Sequence, residues 1–139
     1  MNKNSKSQIL NSKQIPNSKS QYSKQKRSQY DLEERTFVFA KRINEYTTKL
    51  PKTTPNIENG RQLVKAAGSV GANYIEANES LSKKDFKMRI KISKKEAKEA
   101  RYWLKLTEPA KGMVTEREAL IQEATELMKI FGAILEKSK

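Results

Sequence analysis

The 139-residue chain has no cysteine and no histidine. Without cysteine no disulfide or thiolate-bound metal can brace the fold, so stability must come from a packed core. Without histidine the commonest general acid/base and the commonest transition-metal ligand are missing, which leaves carboxylates, lysines, serines and tyrosines for any chemistry. An enzyme, a metal site or a cofactor is therefore not expected. Long apolar runs are absent too: none approaches the roughly 18 to 20 residues that span a bilayer. The first residues show no apolar stretch followed by a cleavage site, so the expectation is a cytoplasmic protein with no membrane partner.

Acids are missing from the first 30 residues, which carry seven of the lysines and arginines among Asn, Ser and Gln. NSKSQ occurs at 4–8 and again at 17–21 in the form NSKSQ, with NSKQ at 11–14 and YSKQ at 22–25. Only Ile9, Leu10, Ile15, Tyr22 and Tyr30 could bury surface there, too little to offset the entropy of ordering. Residues 1–30 are thus expected to be a disordered, low-complexity basic tail, and residues 31–139 the folded domain. The whole chain carries 29 basic and 16 acidic residues, a net charge of +13. Such an excess favours polyanionic partners, nucleic acid first among them.

From Asp31 onward the apolar residues acquire a helical period. Leu32, Thr36, Phe39, Ile43, Tyr46 and Leu50 recur at steps of four and three, one stripe of an α-helix. Asp31 and Glu34 form a candidate N-cap pair, and Pro51 ends the segment. Thr54 is a candidate cap for a second helix, with Pro55 in its first turn and a stripe of Leu63, Ala67, Val70 and Tyr74. The GxxG spacing of Gly68 and Gly71 falls inside that stripe, with no strand before it and no Lys-Ser/Thr pair after it, so a phosphate loop is not supported. Ala66, Ala67, Gly68, Gly71 and Ala72 instead suggest close approach of a neighbouring helix, at roughly 1 kcal/mol of helix propensity per glycine.

Ser82, Asp85 and the flanking Leu81 and Phe86 read as a capped and stapled start to a third helix. Its core stripe is Phe86, Ile90, Ser93, Ala97, Ala100 and Leu104. After Pro109 and Gly112, Thr115 and Glu118 suggest a second capping box before Leu120, Ala124, Leu127, Phe131 and Ile134. Four helices joined by short loops predict an all-α, antiparallel up-down-up-down four-helix bundle.

More apolar residues remain than one bundle core requires. Met88, Ile92, Trp103 and Leu106 lie roughly 120° from Phe86 on the third helix, and Phe37 and Val38 lie off the stripe of the first. These six are expected to form a self-association surface, since a large exposed apolar patch is unusual in a monomer. A different line of the third helix carries Lys87, Lys91, Lys94, Lys98, Arg101 and Lys105, six cations over about 27 Å. Repulsion between neighbours at this spacing opposes the helix, and phosphates of a bound nucleic acid would relieve it. Ser69, Asn73 and Glu76 form a polar line on the second helix, with Arg61 or Arg101 as candidate partners of Glu76. Glu96 and Glu99 pair at i,i+3 on the third. A di-metal site would need Glu-x-x-His, which a chain without histidine cannot supply.

The segments YDLEERTFVFAKRI, QLVKAAGSVGANYIEAN and KDFKMRIKISKKEAKEARYWLKL together resemble the four-helix bundle proteins encoded in intervening sequences of bacterial 23S ribosomal RNA genes. The resemblance runs from Tyr30 to the C-terminus and leaves out the tail. It implies an antiparallel four-helix bundle assembled as a ring-like homopentamer with a basic surface and no enzymatic activity. A similar bundle is the accessory protein of diversity-generating retroelements, which binds nucleic acid and a reverse transcriptase. Two partner classes follow: nucleic acid, with RNA favoured, and an acidic protein partner. By the family pattern, Ser69, Asn73, Glu76, Glu96 and Glu99 match positions of a shared motif.

Overall fold

The computed structural model describes residues 20–139, with side chains from Leu32 onward. Four helices follow in order: α1 (Ser20–Thr48), α2 (Thr54–Asn78), α3 (Lys83–Leu106) and α4 (Val114–Lys137), with one 3₁₀ turn at Lys111–Met113. No strand occurs among the described residues. The chain divides by contacts into Met1–Leu32 and Glu33–Lys139. In the first unit the described backbone is the start of α1, helical from Ser20, so Asp31 lies inside a helix and does not cap one. The run SQYSKQKRSQ holds no Gly or Pro, and its Lys, Gln and Arg residues tolerate helix well. Of the expected disordered tail, residues 1–30, the stretch 1–19 lies outside the described residues.

In the second unit the neighbour relations are those of an antiparallel bundle. Thr36 and Thr47 of α1 meet Gly71 and Gly60 of α2. Ser93 of α3 donates to the Val70 carbonyl of α2, 2.9 Å away. Arg101 of α3 reaches Thr125 of α4, and Arg35 and Arg42 of α1 reach Glu123 and Glu116 of α4. With Arg89 of α3 also meeting Asn73 of α2, and Lys94 of α3 lying by Gly132 of α4, one residue number rises as the other falls in each pair, so every adjacent pair runs antiparallel, as the short loops require.

The stripes read from periodicity form the core. Phe39, Ile43, Tyr46, Leu63, Val70, Ile90, Leu104, Leu120, Leu127 and Phe131 are all almost fully buried, and Leu32 is buried as well. Each such side chain contributes about 1.5–3 kcal/mol on leaving water. Tyr74 and Phe131 reach across the bundle with ring centroids 6.0 Å apart. Ala97 and Ala100 are fully buried on α3, keeping that helix close to its neighbours. Phe86 and Ile134, at the ends of their stripes, are half-buried.

Three of the expected helix starts differ in detail. The α2 cap is Thr53, whose hydroxyl accepts from the Asn56 N–H at 3.2 Å, with Pro55 in the first turn. Thr54 is one residue too late because the chain is already helical there. For α3 the Ser82 cap holds, accepting from the Asp85 N–H at 3.1 Å, but Leu81 is wholly exposed and makes no staple with Phe86. The start of α4 has no side-chain cap: the 3₁₀ turn leads straight into Val114, and Thr115 is already helical.

Of the five small residues singled out around the GxxG spacing, Ala66, Ala67 and Gly71 are at a helix contact. A Cβ on Gly71 would lie 2.8 Å from Thr36 Oγ1, whereas a Cβ on Gly68 would meet nothing within 4 Å, and Ala72 is exposed. The loop end of the bundle is tied by Asn56, which is 3% exposed. Its Nδ2 donates to the carbonyls of Pro51 and Glu108, both at 3.0 Å, and its Oδ1 accepts the Glu108 N–H at 2.9 Å. One side chain thereby joins the α1–α2 and α3–α4 connections.

Candidate functional site

The charge of the bundle is unevenly placed. Helix α3 holds ten cations against three acids, a net +7, while α4 holds three cations against five acids, a net −2. At 100° per residue, Lys87, Lys91, Lys94, Lys98, Arg101 and Lys105 fall within a sector of about 80° on α3. Two contacts orient that sector toward α4. Arg101 Nη1 donates to Thr125 Oγ1 at 3.1 Å, and Lys94 Nζ lies 3.5 Å from where a Cβ on Gly132 would sit. The structure thus brings all six residues to one face of the α3–α4 pair. Lys91, Lys94, Lys98 and Lys105 are exposed, and Lys87 and Arg101 are half-buried.

None of the six takes part in an ion pair among the described residues. The pairs present are Arg35 with Glu123 at 2.7 Å, Arg42 with Glu116 at 3.1 Å, Arg117 with Glu118, and Lys139 with Glu136. The first two are two-pronged and pin α1 to α4, and their carboxylates hold both guanidinium groups above the usual arginine range. Two of the five acids of α4, Glu116 and Glu123, are therefore spent on the α1 side, and Glu118 and Glu136 pair with Arg117 and Lys139 and not with the cation row.

The polar motif divides. Asn73 and Arg89 join α2 to α3, with Arg89 Nη1 donating to Asn73 Oδ1 at 3.0 Å, while Asn73 Nδ2 and Ser69 Oγ back-bond to carbonyls of α2. Glu96 is half-buried on the same side of α3. Burial and then the neighbouring Glu99 push its carboxyl above the usual range, and Lys95 and Lys65 oppose them. Glu76 and Glu99 are exposed. Neither Arg61 nor Arg101 pairs with Glu76: Arg101 is on the α4 side of α3, and the guanidinium at the α2–α3 seam is that of Arg89. Arg89 was legible in principle, because it shares the flank of Ser93 on the helical wheel. Among the described residues no three carboxylates converge in a geometry suited to a metal ion.

The six apolar candidates do not form one patch. Met88 and Leu106 lie on the outer side of α3, 52% and 43% exposed. Ile92 and Trp103 are half-buried toward α2, and Trp103 Nε1 is buried without a hydrogen-bond partner. Phe37, 60% exposed, borders the α1–α2 seam along with exposed Val64 and Ile75, while Val38 faces outward on the α4 side of α1. The sequence reading did not include Val64 and Ile75, because their stripe overlaps the buried one. A shallow groove at the loop end of the same seam is lined by Leu50, Ile57, Gly60 and Val64. No helix among the described residues is long and apolar enough to cross a membrane.

Comparison with known proteins agrees with this architecture. A crystal structure of a protein of unknown function from the S23 ribosomal protein family of Bacteroides thetaiotaomicron VPI-5482 superimposes with a TM-score of 0.67 at 25% sequence identity. The match covers 78% of this chain and 97% of that one. Among curated proteins none matches. The family described as 23S rRNA-intervening sequence protein matches residues 28–133, which include most of every helix from α2 to α4 and the packed part of α1. On that match this chain belongs to the 23S rRNA-intervening sequence protein family.

Proposed function

We propose that the protein is a non-enzymatic, cytoplasmic, oligomeric bundle that binds RNA or other nucleic acid through the cation face of α3. The observation that carries this reading is the row of six cations with no carboxylate partner among the described residues, on a helix that holds +7 of charge. Like charges at i,i+3 and i,i+4 cost a few tenths of a kcal/mol per pair, about 1–2.5 kcal/mol over the five neighbouring pairs. Phosphates offset that cost by replacing repulsion with attraction and releasing counterions.

Self-association draws on the two separate apolar regions: the α1–α2 seam with Phe37, and the outer side of α3 with Met88 and Leu106. Because they lie on different sides of the bundle, a contact of one with the other would be heterologous, which builds a ring when the rotation between neighbours closes. A homopentamer, as the resemblance implies, is one such ring. Sedimentation at tens of micromolar tests it, and a clean 16.0 kDa monomer would end the idea.

For nucleic acid the test is salt dependence. With six phosphates neutralised per protomer, log K should fall against log[salt] with a slope approaching about −5 on a duplex. Replacing Lys91, Lys94 and Lys98 by glutamine should reduce the slope by about 2–3. An unchanged slope would exonerate the face. A protein that purifies free of nucleic acid and captures none at low salt points instead to an acidic protein partner.

A further inference from the structure

We infer that the α3 face recognises the paired form of its nucleic acid, a duplex held by its phosphates without regard to base sequence. The inference rests on the reading just proposed and specifies the ligand of that same face.

Proteins that bind single strands combine a basic groove with aromatic side chains on which successive bases stack. The cation sector of α3 contains no aromatic residue. Trp103 projects on the far side of the helix, toward α2, where its Nε1 is buried. Tyr102 borders the sector and is 57% exposed, but it is a single ring, set T-shaped to Trp103 with centroids 5.0 Å apart at 75°. A single strand laid along this face would find charge but no run of rings on which successive bases stack.

Base reading is equally poorly served. Side-chain amides that pair with adenine are missing, since α3 has no asparagine or glutamine. Its one hydroxyl outside the tyrosine, Ser93, is fully buried and donates to the Val70 carbonyl. Arg101, the cation best suited to two-pronged contact with guanine, gives one of its donors to Thr125.

What remains is a stiff row of point charges about 27 Å long. A duplex offers such a row a matching object: it is stiff over about 150 base pairs and carries one charge per about 1.7 Å of axis. A flexible strand has a lower charge density and must give up conformational freedom to lie straight along the helix.

The experiment uses the full chain at about 50 mM salt with three labelled probes of equal length: two RNA duplexes of unrelated sequence and a single strand of uridines that cannot fold. The expected result is a duplex at least about ten-fold tighter than the single strand, with the two duplexes within about three-fold of each other. Tyr102→Ala should leave these ratios unchanged. A single strand that binds as tightly as the duplex, duplexes that differ by more than about ten-fold, or a loss of binding with Tyr102→Ala would overturn the inference while leaving nucleic-acid binding in place. Failure of all three probes to bind would overturn both.

Discussion

Gly68 and Gly71 occupy one helix, three residues apart, yet the same substitution should have opposite effects at the two positions. Alanine is favoured over glycine in a helix interior by about 0.8–1.0 kcal/mol. At Gly68 nothing lies within 4 Å of the added methyl, so Gly68→Ala should deliver that gain and raise Tm by about 3–5 °C for a domain of this size. At Gly71 the methyl would stand 2.8 Å from Thr36 Oγ1 and 3.2 Å from Thr36 Cβ. Thr36 cannot easily turn away, because it is β-branched, 1% exposed and donates its hydroxyl to the Glu33 carbonyl at 2.9 Å. Overpacking of this kind costs about 1–3 kcal/mol, which cancels or outweighs the propensity gain. The expected gap between the two variants is therefore about 1–3 kcal/mol. Thermal unfolding by circular dichroism, run dilute enough to hold the assembly state constant, measures it. Adding Thr36→Ala removes the nearer atom and should recover part of the loss at Gly71, though the Cβ contact at 3.2 Å remains. The reasoning is refuted if Gly71→Ala melts at or above Gly68→Ala.

Other outcomes follow from the remaining contacts. Asn56→Ala should cost about 2–4 kcal/mol in urea unfolding, because it strips three hydrogen bonds from the loop backbones of Pro51 and Glu108. A double-mutant cycle on Arg35 and Glu123 should give a coupling of about 0.5–1 kcal/mol that shrinks with salt, as befits a two-pronged but partly exposed pair. Tyr46 and Tyr74 have phenols raised above their ordinary value, chiefly by burial. Between the unfolded and folded values the folded state binds more protons, so stability should fall as pH rises past about 10. The part of the tyrosinate absorbance that belongs to Tyr46 and Tyr74 should therefore appear together with unfolding, and Tyr46→Phe should blunt that pH dependence at the cost of its hydrogen bond to Thr107. Finally, the Lys91, Lys94 and Lys98 to glutamine triple variant, which removes four of the five like-charge pairs, should be more stable than the parent by about 0.8–2 kcal/mol at low salt while binding nucleic acid more weakly.

How much of this was legible before the fold was known depended on what kind of signal each feature leaves. The core stripes and the Ser82 cap are local patterns with one reading, and residues from Phe39 to Phe131 fell where their spacing put them. The cation sector was legible for the same reason, since a helical wheel needs only a helix. Which neighbour the sector faces was not, because that depends on Arg101 meeting Thr125 across a fold. Asn56 was invisible: its partners lie at Pro51 and at Glu108, and no spacing rule connects the latter to it. The two glycines looked alike in sequence because a GxxG pair does not say which member faces the neighbouring helix. The starts of α1 and α4 were misread because Asp31 and Thr115 have the right chemistry for a cap in a backbone that is already helical.

The division of labour among the helices gives the charge pattern a physical cause. Acids at positions 116 and 123 are drawn to the α1 side of α4 by Arg42 and Arg35, where two parallel hydrogen bonds fix each pair. On the other side of α4 the residues that meet α3 are small or neutral, Thr125 and Gly132. They accept the flank of α3 without neutralising it. At the opposite flank of α3, Arg89 is engaged by Asn73 and the charge of Glu96 is set against Lys95 and Lys65. Both of those seams carry side-chain pairings between helices, whereas the cation row on the α3–α4 side takes part in no ion pair among the described residues. A partner that relieved the repulsion along that row would have to bring closely spaced negative charge on a rigid frame, and it would bind without requiring the bundle to rearrange, because the row is already straight and four of its six cations are exposed.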